Sequence, residues 1–359
     1  MTEVGSSQAT ALRTRLETGL DRGLFDGAVL LAGSSDGVET QLAVGNRNRA
    51  GDPVTPGTSF DVASLTKVVA TTTIALRLVE AGTLALSSTL GSHVDELEGT
   101  PRGAIPLRSL LTHTSGLPPY KAFPFGWESK SAVLESLFDS PLSMLADPDE
   151  WFVYSDLNFV FLAEALRRVT GERLETLLES HVTEPLGLED TALGPISTEN
   201  VAATRDRRWE ERVLTGEPHD YLARAMDGES GNAGVFSTGR DLATVARMLL
   251  NRGVHEGDRY LSAGMVDRLR TDAIDAIETR RGLGWKLGTA DVPGTAWSSE
   301  AFGHTGFTGT SMWMDPRADR FLVLLTNHVL TMDPDGSLTQ FRERIHDVAA
   351  ATEPSADGQ

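Results

Sequence analysis

The sequence predicts an α+β protein in which an antiparallel β-sheet, flanked by helices, is built from both chain ends and a large, mainly helical domain is inserted between them. Strand patterns occupy residues 27–44, helical patterns dominate the middle, and strand patterns return after about residue 280. With 359 residues and 40% hydrophobic side chains, the chain can bury a substantial core. We therefore predict a sheet domain of residues 1–75 and 275–350, a helical domain of residues 76–274, and a disordered tail of residues 351–359.

An amphipathic helix precedes the first strands. Apolar periodicity predicts this helix over Thr10–Gly23, and strands over Gly27–Leu31 and Thr40–Val44. The segment Ser34-Ser35-Asp36-Gly37 between the strands predicts a hairpin turn. This turn also matches Gly-x-Ser-x-Gly, the nucleophile elbow of α/β-hydrolases, but that motif requires a helix after the serine. Because strand patterns flank it on both sides, we interpret it as a turn.

The rest of the chain divides into a helical middle and a C-terminal group of strands. Helices are predicted over Ser64–Glu80, Leu107–Leu111, Ala132–Phe138, Asp156–Val169, Leu174–Val182 and Asp241–Asn251. Thr238 is positioned to cap the last of these helices. The later strands are predicted over Gly284–Leu287, Phe302–Thr305, Gly309–Met314 and Phe321–Thr326, and a final helix over Leu338–Ala350.

Composition excludes several classes of function. The net charge of -19 repels phosphate backbones and anionic lipid headgroups, and no cluster of Lys and Arg is present, so we expect no nucleic-acid or membrane partner. The absence of cysteine removes disulfides, thiol nucleophiles and cysteine-based metal sites. No His or carboxylate pattern has metal-ligand spacing, so we expect neither a metal nor a cofactor.

The location and assembly of the protein can be predicted only broadly. The N-terminal residues carry neither a basic region nor an apolar segment of the kind that directs secretion, and no apolar run approaches the about 20 residues of a membrane span. We therefore expect a cytoplasmic protein that is a monomer or a small homo-oligomer and acts on a small-molecule acyl substrate.

A serine and a lysine three residues apart open the helix predicted at Ser64. On a helix, residues at this spacing share a face, so the Lys67 amine can lie near the Ser64 hydroxyl. The backbone N–H of Ser64 can also point at a developing oxyanion. To act as a base near pH 7, Lys67 needs a pKa about 3 units below the reference of about 10.4, and we expect burial to lower it. A solvated helix start is the alternative interpretation of the motif alone.

The sequence resembles the serine β-lactamases and penicillin-binding proteins, especially class C β-lactamases and family VIII carboxylesterases. Ser64-Leu65-Thr66-Lys67 matches their Ser-x-x-Lys element. Tyr154-Ser155-Asp156 stands where the resemblance implies Tyr-x-Asn, and His304-Thr305-Gly306 stands where it implies Lys-Thr-Gly on a strand. These elements occur in the expected order, and the resemblance extends from about residue 25 to residue 330. It implies a β-lactamase/transpeptidase-like fold, with Tyr154 as a third catalytic residue.

Two positions depart from that pattern. Asp156 offers only acceptors when it is ionised, so it can stabilise a protonated Lys67 but cannot donate to a substrate amide. His304 is expected to be cationic for only part of the time near pH 7, so it cannot hold a substrate carboxylate with a permanent charge. Both departures argue against a penicillinase and leave acyl transfer intact. We therefore expect simple esters to be preferred over penicillins.

Other aromatic and histidine residues have plainer interpretations. His113, in Leu110–Pro118, is expected to order its loop by hydrogen bonds rather than to take part in chemistry. His219-Asp220 is expected either to orient a loop over the cleft or to form a buried, satisfied pair. The segments around 216–220 and 232–238 resemble a subgroup that includes muropeptide amidases.

The leading hypothesis is a serine hydrolase, esterase-like, that forms a covalent acyl-enzyme. Ser64 attacks, Lys67 accepts its proton with help from Tyr154, and the oxyanion lies between the backbone N–H groups of Ser64 and Phe307. Asp156, His304, Thr305 and Gly306 are expected to contact the substrate. A class C-type β-lactamase, a D-amino-acid peptidase or a muropeptide amidase remains an alternative. A penicillin-sensing protein that acylates without turnover is the alternative outside the enzymes.

Overall fold

The computed structural model describes residues 3–119, 129–139, 143–207, 211–274, 279–288, 294–331 and 337–351. Its central feature is a six-stranded sheet whose neighbouring strands are all antiparallel. The strands of the described residues are β1 (Gly27–Gly33), β2 (Val38–Gly45), β3 (Phe60–Asp61), β4 (Ala192–Leu193), β5 (Thr204–Asp206), β6 (Arg212–Leu214), β7 (Val235–Ser237), β8 (Val254–His255), β9 (Asp258–Arg259), β10 (Lys286–Leu287), β11 (Phe302–Thr305), β12 (Ser311–Asp315) and β13 (Arg320–Thr326).

The six-stranded sheet joins the two ends of the chain. Its strand order is β10-β11-β12-β13-β1-β2, so the C-terminal strand β13 pairs with the N-terminal strand β1, for example at Leu30 and Leu324. The predicted fold class is therefore confirmed. The division into two domains with the stated boundaries stays a prediction.

The β1–β2 connection is the predicted hairpin turn. Ser34 and Gly37 exchange backbone hydrogen bonds of 3.0 and 3.3 Å. The Ser35 hydroxyl donates to Asp319 at 2.8 Å, in the exposed turn. A strand follows this serine, as predicted, so the Gly-x-Ser-x-Gly match is not a nucleophile elbow.

Helices cover both faces of the sheet. They are α1 (Glu3–Asp21), α2 (Thr73–Glu80), α3 (Leu107–Leu111), α4 (Lys130–Asp139), α5 (Leu157–Thr170), α6 (Leu174–Leu178), α7 (Glu184–Leu186), α8 (Tyr221–Ala225), α9 (Gly239–Leu250), α10 (Ala263–Leu269), α11 (His328–Thr331) and α12 (Ser337–Ala350). Short 3₁₀ turns occur at residues 90–92, 95–97 and 102–104, and π-helical turns at Lys67–Thr72 and Glu179–Thr183. Thr238 caps α9 as predicted, by accepting a hydrogen bond from the Asp241 N–H.

Alternation along β1 separates two hydrophobic clusters. Successive side chains of a strand point to opposite faces. Val29 and Leu31 belong to the larger cluster, which includes α5, α9 and the helix after Ser64. Leu30 belongs to the smaller cluster, in which α1 and α12 pack on the other face. The helix that follows Ser64 is thus fixed between the sheet and the helical part of the chain.

Several predicted boundaries are wrong by a few residues. Helix α1 begins at Glu3 rather than Thr10, since no residue before Thr10 interrupts it. Strand β12 begins at Ser311 because Gly309, with φ of +114°, lies in the preceding turn. Strand β10 begins at Lys286 because Gly284, with φ of +79°, also lies in a turn. Most of the predicted disordered tail lies outside the described residues.

Candidate active site

The candidate nucleophile, Ser64, lies in a strained turn between β3 and the helix that follows it. Ala63, immediately before Ser64, has a φ of +47°, a left-handed conformation that non-glycine residues rarely adopt. The Asp61 carboxylate accepts the Ala63 N–H at 2.8 Å, and the Ala63 carbonyl accepts the Thr66 N–H at 3.0 Å. Such strain persists only where surrounding contacts hold it, and it clusters at functional sites. The turn therefore fixes the direction of Ser64.

The helix after Ser64 starts with a π-helical turn rather than the predicted regular helix. Residues Lys67–Thr72 form this turn, and α2 continues from Thr73. The Thr73 hydroxyl donates to the Val68 carbonyl at 2.9 Å, which satisfies one carbonyl in the irregular turn. π-Helical turns are frequent at functional sites. Here the turn carries Lys67 beneath Ser64.

Three acceptors surround the Lys67 ammonium. Its Nζ lies 3.0 Å from Ser64 Oγ, 2.6 Å from Asp156 Oδ1 and 2.8 Å from the Asn232 carbonyl oxygen. The Lys67 side chain is completely buried, whereas 23% of the Asp156 side chain is exposed. The Asn232 carbonyl can only accept and Asp156 accepts as a carboxylate, so a neutral amine that donates to both would direct its lone pair at the Ser64 hydroxyl.

The predicted direction of the Lys67 pKa is wrong. Burial acts to lower this pKa, but the negative charge of Asp156 and the interaction with Tyr154 outweigh burial and hold it above its ordinary value. A nearby opposite charge favours the ionised form of a base. Lys67 therefore rests as a cation paired with Asp156, and the neutral base is the minor form near pH 7.

Tyr154 lies against this ion pair. The Lys67 Nζ is 5.2 Å from the centre of the Tyr154 ring. The same ring lies 4.4 Å, centre to centre, from the ring of His113 and 6.1 Å from that of His304. Tyr154 thus links the lysine to the strand that carries the third motif.

His113 holds the segment before α5 in place. Its Nδ1 accepts the Ser155 N–H at 3.2 Å and lies 3.1 Å from the Asn158 side-chain nitrogen. Ser115 donates to the Asn158 side-chain oxygen at 2.5 Å. Burial, with a smaller contribution from the charge of Arg281, lowers the pKa of His113 well below its ordinary value. This neutral histidine orders its loop, in agreement with the prediction.

His304 is neutral rather than partly cationic near pH 7, which corrects the prediction. The residue is 1% exposed, and its Nδ1 lies 2.9 Å from the Thr305 carbonyl oxygen. Burial lowers its pKa well below the ordinary value, and the positive charges of Arg281 and Lys286 lower it further. The positive charges of Arg281 and Lys286, from the segment before β11, thus add to burial in keeping His304 neutral.

The turn from Gly306 to Thr310 faces the nucleophile turn. Thr308 donates to the Asp61 carbonyl at 2.7 Å, and Thr310 donates to the Val62 carbonyl at 3.0 Å. A Cβ on Gly306 would lie 2.1 Å from Thr310 Oγ1, so only glycine fits. Within the described part of the chain, the N–H groups of Ser64 and Phe307 donate to no protein acceptor.

The structure places the other predicted substrate contacts as follows. Thr305 ends β11, partly exposed and paired with Ser311 on β12. The Phe307 side chain is 68% exposed beside the turn and packs on His219, with ring centres 5.5 Å apart. Asp156 contacts Lys67 through Oδ1, and its predicted contact with a substrate stays a prediction.

The predicted pair His219-Asp220 separates into two structural roles. The His219 N–H donates to the Asp61 carboxylate at 2.6 Å, and the Asp220 carboxylate caps α8 through the Ala223 N–H at 2.9 Å. His219 lies beside exposed Phe307, whereas the carboxylate of Asp220 also approaches the Asn232 side chain at 3.4 Å. The segment thus borders the site rather than supplying its nucleophile.

Sequence reasoning missed several residues of the site. Asn232 contributes a backbone carbonyl, which no side-chain pattern reveals, although its segment was singled out by resemblance. Asp61 lies three positions before Ser64 and holds the Ala63 N–H. The positive charges of Arg281 and Lys286 act on His304 because the fold brings these residues together, and no sequence pattern shows this. Arg281 stacks on Phe152, with its Cζ 4.8 Å from the ring centre.

Two further observations concern metal sites and membrane-spanning helices. Among the residues that the structure describes, no three His, Asp or Glu side chains are placed to hold a metal ion. In the same residues, no helix combines the length and apolarity needed to cross a bilayer.

Comparison with known proteins identifies the family. The sequence profile of the Beta-lactamase family matches residues 12–346, which is nearly the whole chain. The chain therefore belongs to the beta-lactamase family of serine hydrolases, as its motifs and fold predict. The candidate nucleophile Ser64, its lysine and the third-motif strand are the parts of the site that this membership explains.

Individual relatives carry several names. The chain is 30% identical over 316 residues to an N-acetylmuramyl-L-alanine amidase of Bacillus subtilis, covering 77% of this chain and 70% of the relative. It is 29% identical over 322 residues to an Escherichia coli protein named "Putative D-alanyl-D-alanine carboxypeptidase", covering 80% of this chain and 73% of the relative. The solved structure of EstCE1, titled a hydrolase with promiscuous acyltransferase activity, is similar in fold, with a TM-score of 0.81, 22% identity, and coverage of 97% of this chain and 100% of EstCE1.

Proposed function

We propose that this protein hydrolyses a small ester or amide substrate through an acyl-enzyme on Ser64, and that simple esters are good substrates. The observation that carries the proposal is the contact between Ser64 Oγ and the Lys67 amine at 3.0 Å, behind a strained turn. A nucleophile within hydrogen-bond reach of a base that a third group orients is the arrangement that covalent catalysis requires. Asp156 is that third group.

The proposed reaction starts when Ser64 Oγ forms a bond to the substrate carbonyl carbon. Its proton passes to Lys67 in the minor neutral form, with Tyr154 beside Lys67. The carbonyl oxygen becomes an oxyanion that the N–H groups of Ser64 and Phe307 stabilise. The leaving group then takes a proton from Lys67, and its bond to the carbonyl carbon breaks. A water molecule then attacks the acyl carbonyl carbon while Lys67, with Tyr154 beside it, takes a proton from the water. The bond to Ser64 Oγ breaks, Lys67 returns that proton to Ser64 Oγ, and the acid is released.

The residues around Lys67 favour transfer of the serine proton to this lysine. Once Lys67 has accepted the serine proton, its three N–H groups find Asp156, the Asn232 carbonyl and the Ser64 oxygen. Charge-assisted hydrogen bonds of this kind stabilise the protonated base. The cost is that few molecules carry a neutral Lys67 near pH 7, so we expect the rate to rise with pH.

The decisive variant is Ser64→Ala, with p-nitrophenyl butyrate as substrate. We expect loss of turnover by at least about 10³-fold and an unchanged melting temperature, since a serine at a helix start contributes at most about 1 kcal/mol as a cap. A fluorophosphonate probe should label Ser64 in the wild-type protein. Ser35→Ala, which removes the exposed hairpin serine, is the matched control and should keep full activity. Turnover by Ser64→Ala, or label on Ser35, would contradict the proposal.

A second candidate is hydrolysis of a cell-wall amide. The names of the amidase and carboxypeptidase relatives favour it. The two candidates share Ser64 and differ in the acyl and leaving groups.

A substrate panel separates the candidates. We expect kcat/KM for p-nitrophenyl butyrate to exceed that for penicillin G by about 10²-fold or more, because neither His304 nor Asp156 supplies the contact that a penicillin would use. A D-alanyl-D-alanine peptide or a muropeptide with a kcat/KM above that of the ester would establish the second candidate. A single burst of p-nitrophenol without turnover would identify a sensor rather than an enzyme.

A further inference from the structure

The last described helix reaches the candidate oxyanion site from behind. Arg342, on α12, donates from Nη2 to the Gly306 carbonyl at 2.9 Å and to the Thr310 carbonyl at 2.8 Å. These two carbonyls belong to the two ends of the turn that carries Phe307. The guanidinium therefore bridges the turn and fixes its width.

The contact with the Gly306 carbonyl involves the peptide group that joins Gly306 to Phe307. The carbonyl of Gly306 and the N–H of Phe307 belong to the same planar peptide unit and point in opposite directions. A group that holds the carbonyl end therefore also sets the direction of the N–H end. Because a cation at the carbonyl polarises the peptide, it also makes the N–H a stronger donor.

Charge and burial support this role for Arg342. Burial lowers the pKa of the guanidinium to about 10, so it stays cationic near neutral pH. Among the described residues, Arg342 makes no ion pair with a carboxylate. Among the same residues, its Nη2 donates to the two turn carbonyls.

The Ser64 side of the site is anchored in a comparable way. The peptide unit that carries the Ser64 N–H has its carbonyl, that of Ala63, bonded to the Thr66 N–H at 3.0 Å. Both candidate donors therefore have the carbonyl ends of their peptides held, one by the helix after the nucleophile and the other by α12. Preorganised donors of this kind need no rearrangement when charge develops.

We propose that Arg342 is a positioning residue for the oxyanion hole, which orients and polarises the Phe307 N–H through the Gly306 carbonyl. The proposal rests on the proposed function of Ser64. Arg342 contacts neither the nucleophile nor the substrate, so its effect should appear in the stabilisation of the oxyanion and not in ground-state binding.

A thionoester comparison tests this directly. Sulfur is a larger and weaker acceptor than oxygen, so a well-formed oxyanion hole favours an ester over the matching thionoester. The variants are Arg342→Met, which removes the charge and both hydrogen bonds, and Arg342→Lys, which keeps the charge and loses the planar guanidinium geometry. Arg344→Met, at an exposed position on the same helix, is the matched control.

For Arg342→Met we expect kcat for p-nitrophenyl butyrate to fall about 10- to 100-fold, the scale of losing one oxyanion donor or less, with KM within about threefold. The ratio of kcat/KM for p-nitrophenyl butyrate to that for p-nitrophenyl thionobutyrate should fall at least fivefold. Arg342→Lys should show an intermediate ratio, and Arg344→Met should match the wild type.

These experiments distinguish the positioning role of Arg342 from the proposed function of Ser64. A variant at position 342 with unchanged melting temperature and an unchanged ester-to-thionoester ratio would overturn the positioning role, whatever its rate. If Arg342→Met fails to fold, the ratio for Arg342→Lys decides in the same way. Failure of the proposed function would appear instead as turnover by Ser64→Ala or as missing fluorophosphonate label on Ser64 in the wild-type protein.

Discussion

Two buried basic groups, at opposite ends of the active site, differ in charge near pH 7. Lys67 is fully buried and yet cationic, because Asp156 Oδ1 lies 2.6 Å from its Nζ. His304 is 1% exposed and neutral, because its burial is combined with the like charges of Arg281 and Lys286. Burial acts in the same direction on both residues. The sign of the nearest charge therefore decides which of them keeps its proton.

This difference divides the chemistry between the two ends. The Lys67 end holds a proton that it can release and recover, as acyl transfer requires. The His304 end holds a buried, neutral imidazole in a positive environment, which exchanges no proton near pH 7. Substitutions at each end test this division.

Removal of the lysine should have the largest effect. Lys67→Met keeps an unbranched apolar stem but no base, and we expect kcat/KM for p-nitrophenyl butyrate to fall by about 10³-fold or more. Asp156 is partly exposed, so its unpaired carboxylate can be solvated and the protein should remain folded in a thermal melt. Lys130→Met, which removes a lysine paired with buried Glu229, is the control and should retain activity. Activity within tenfold of wild type in Lys67→Met would remove Lys67 from the mechanism.

Removal of the carboxylate should shift the pH dependence. The Asp156 charge raises the pKa of Lys67, so Asp156→Asn should lower this pKa and populate the neutral base at lower pH. We expect wild-type kcat/KM to rise with pH through the neutral range, and the rising limb to move to lower pH by about one unit or more in the variant. The measurement is the pH profile of p-nitrophenyl butyrate hydrolysis, corrected for hydroxide.

Asp267→Asn serves as the control for that shift, since Asp267 is a surface carboxylate paired with Arg252 and Arg270. Its profile should overlay the wild type. A rising limb that stays in place in Asp156→Asn would mean that the group titrating in the profile is not Lys67.

The smallest effect is expected at the other end of the site. His304 is already neutral, so His304→Gln should change kcat/KM for the ester by less than about threefold and leave the pH profile between pH 5 and 8 unaltered. Loss of an inflection near pH 6.5 on going from wild type to variant would show that His304 titrates in the working range, and the contrast with Lys67 would fail. His255→Gln, on the short hairpin β8–β9, is the control.

The fold could be read to a large extent from local patterns. The strand-like segments within residues 27–44 and 302–326 and the turn at Ser34–Gly37 predicted the strands that form most of the sheet. Boundaries were missed where a glycine with positive φ, such as Gly309, extends a turn into an apolar run. The π-helical turn at Lys67–Thr72 was also missed, because its periodicity differs too little from that of a regular helix over six residues.

The sequence alone specified the identity and order of the chemical groups. These groups are Ser64 and Lys67, one helical turn apart, then Tyr154, and the His304 motif on a later strand. Their charges, and the contacts that hold them in place, depend on the tertiary structure. The pKa of Lys67 depends on Asp156, 89 positions away, and that of His304 on Arg281 and Lys286. The oxyanion turn depends on Arg342, 36 positions beyond Gly306. Electrostatic interactions act through space over a few ångströms, so the spacing of residues along a chain does not reveal them.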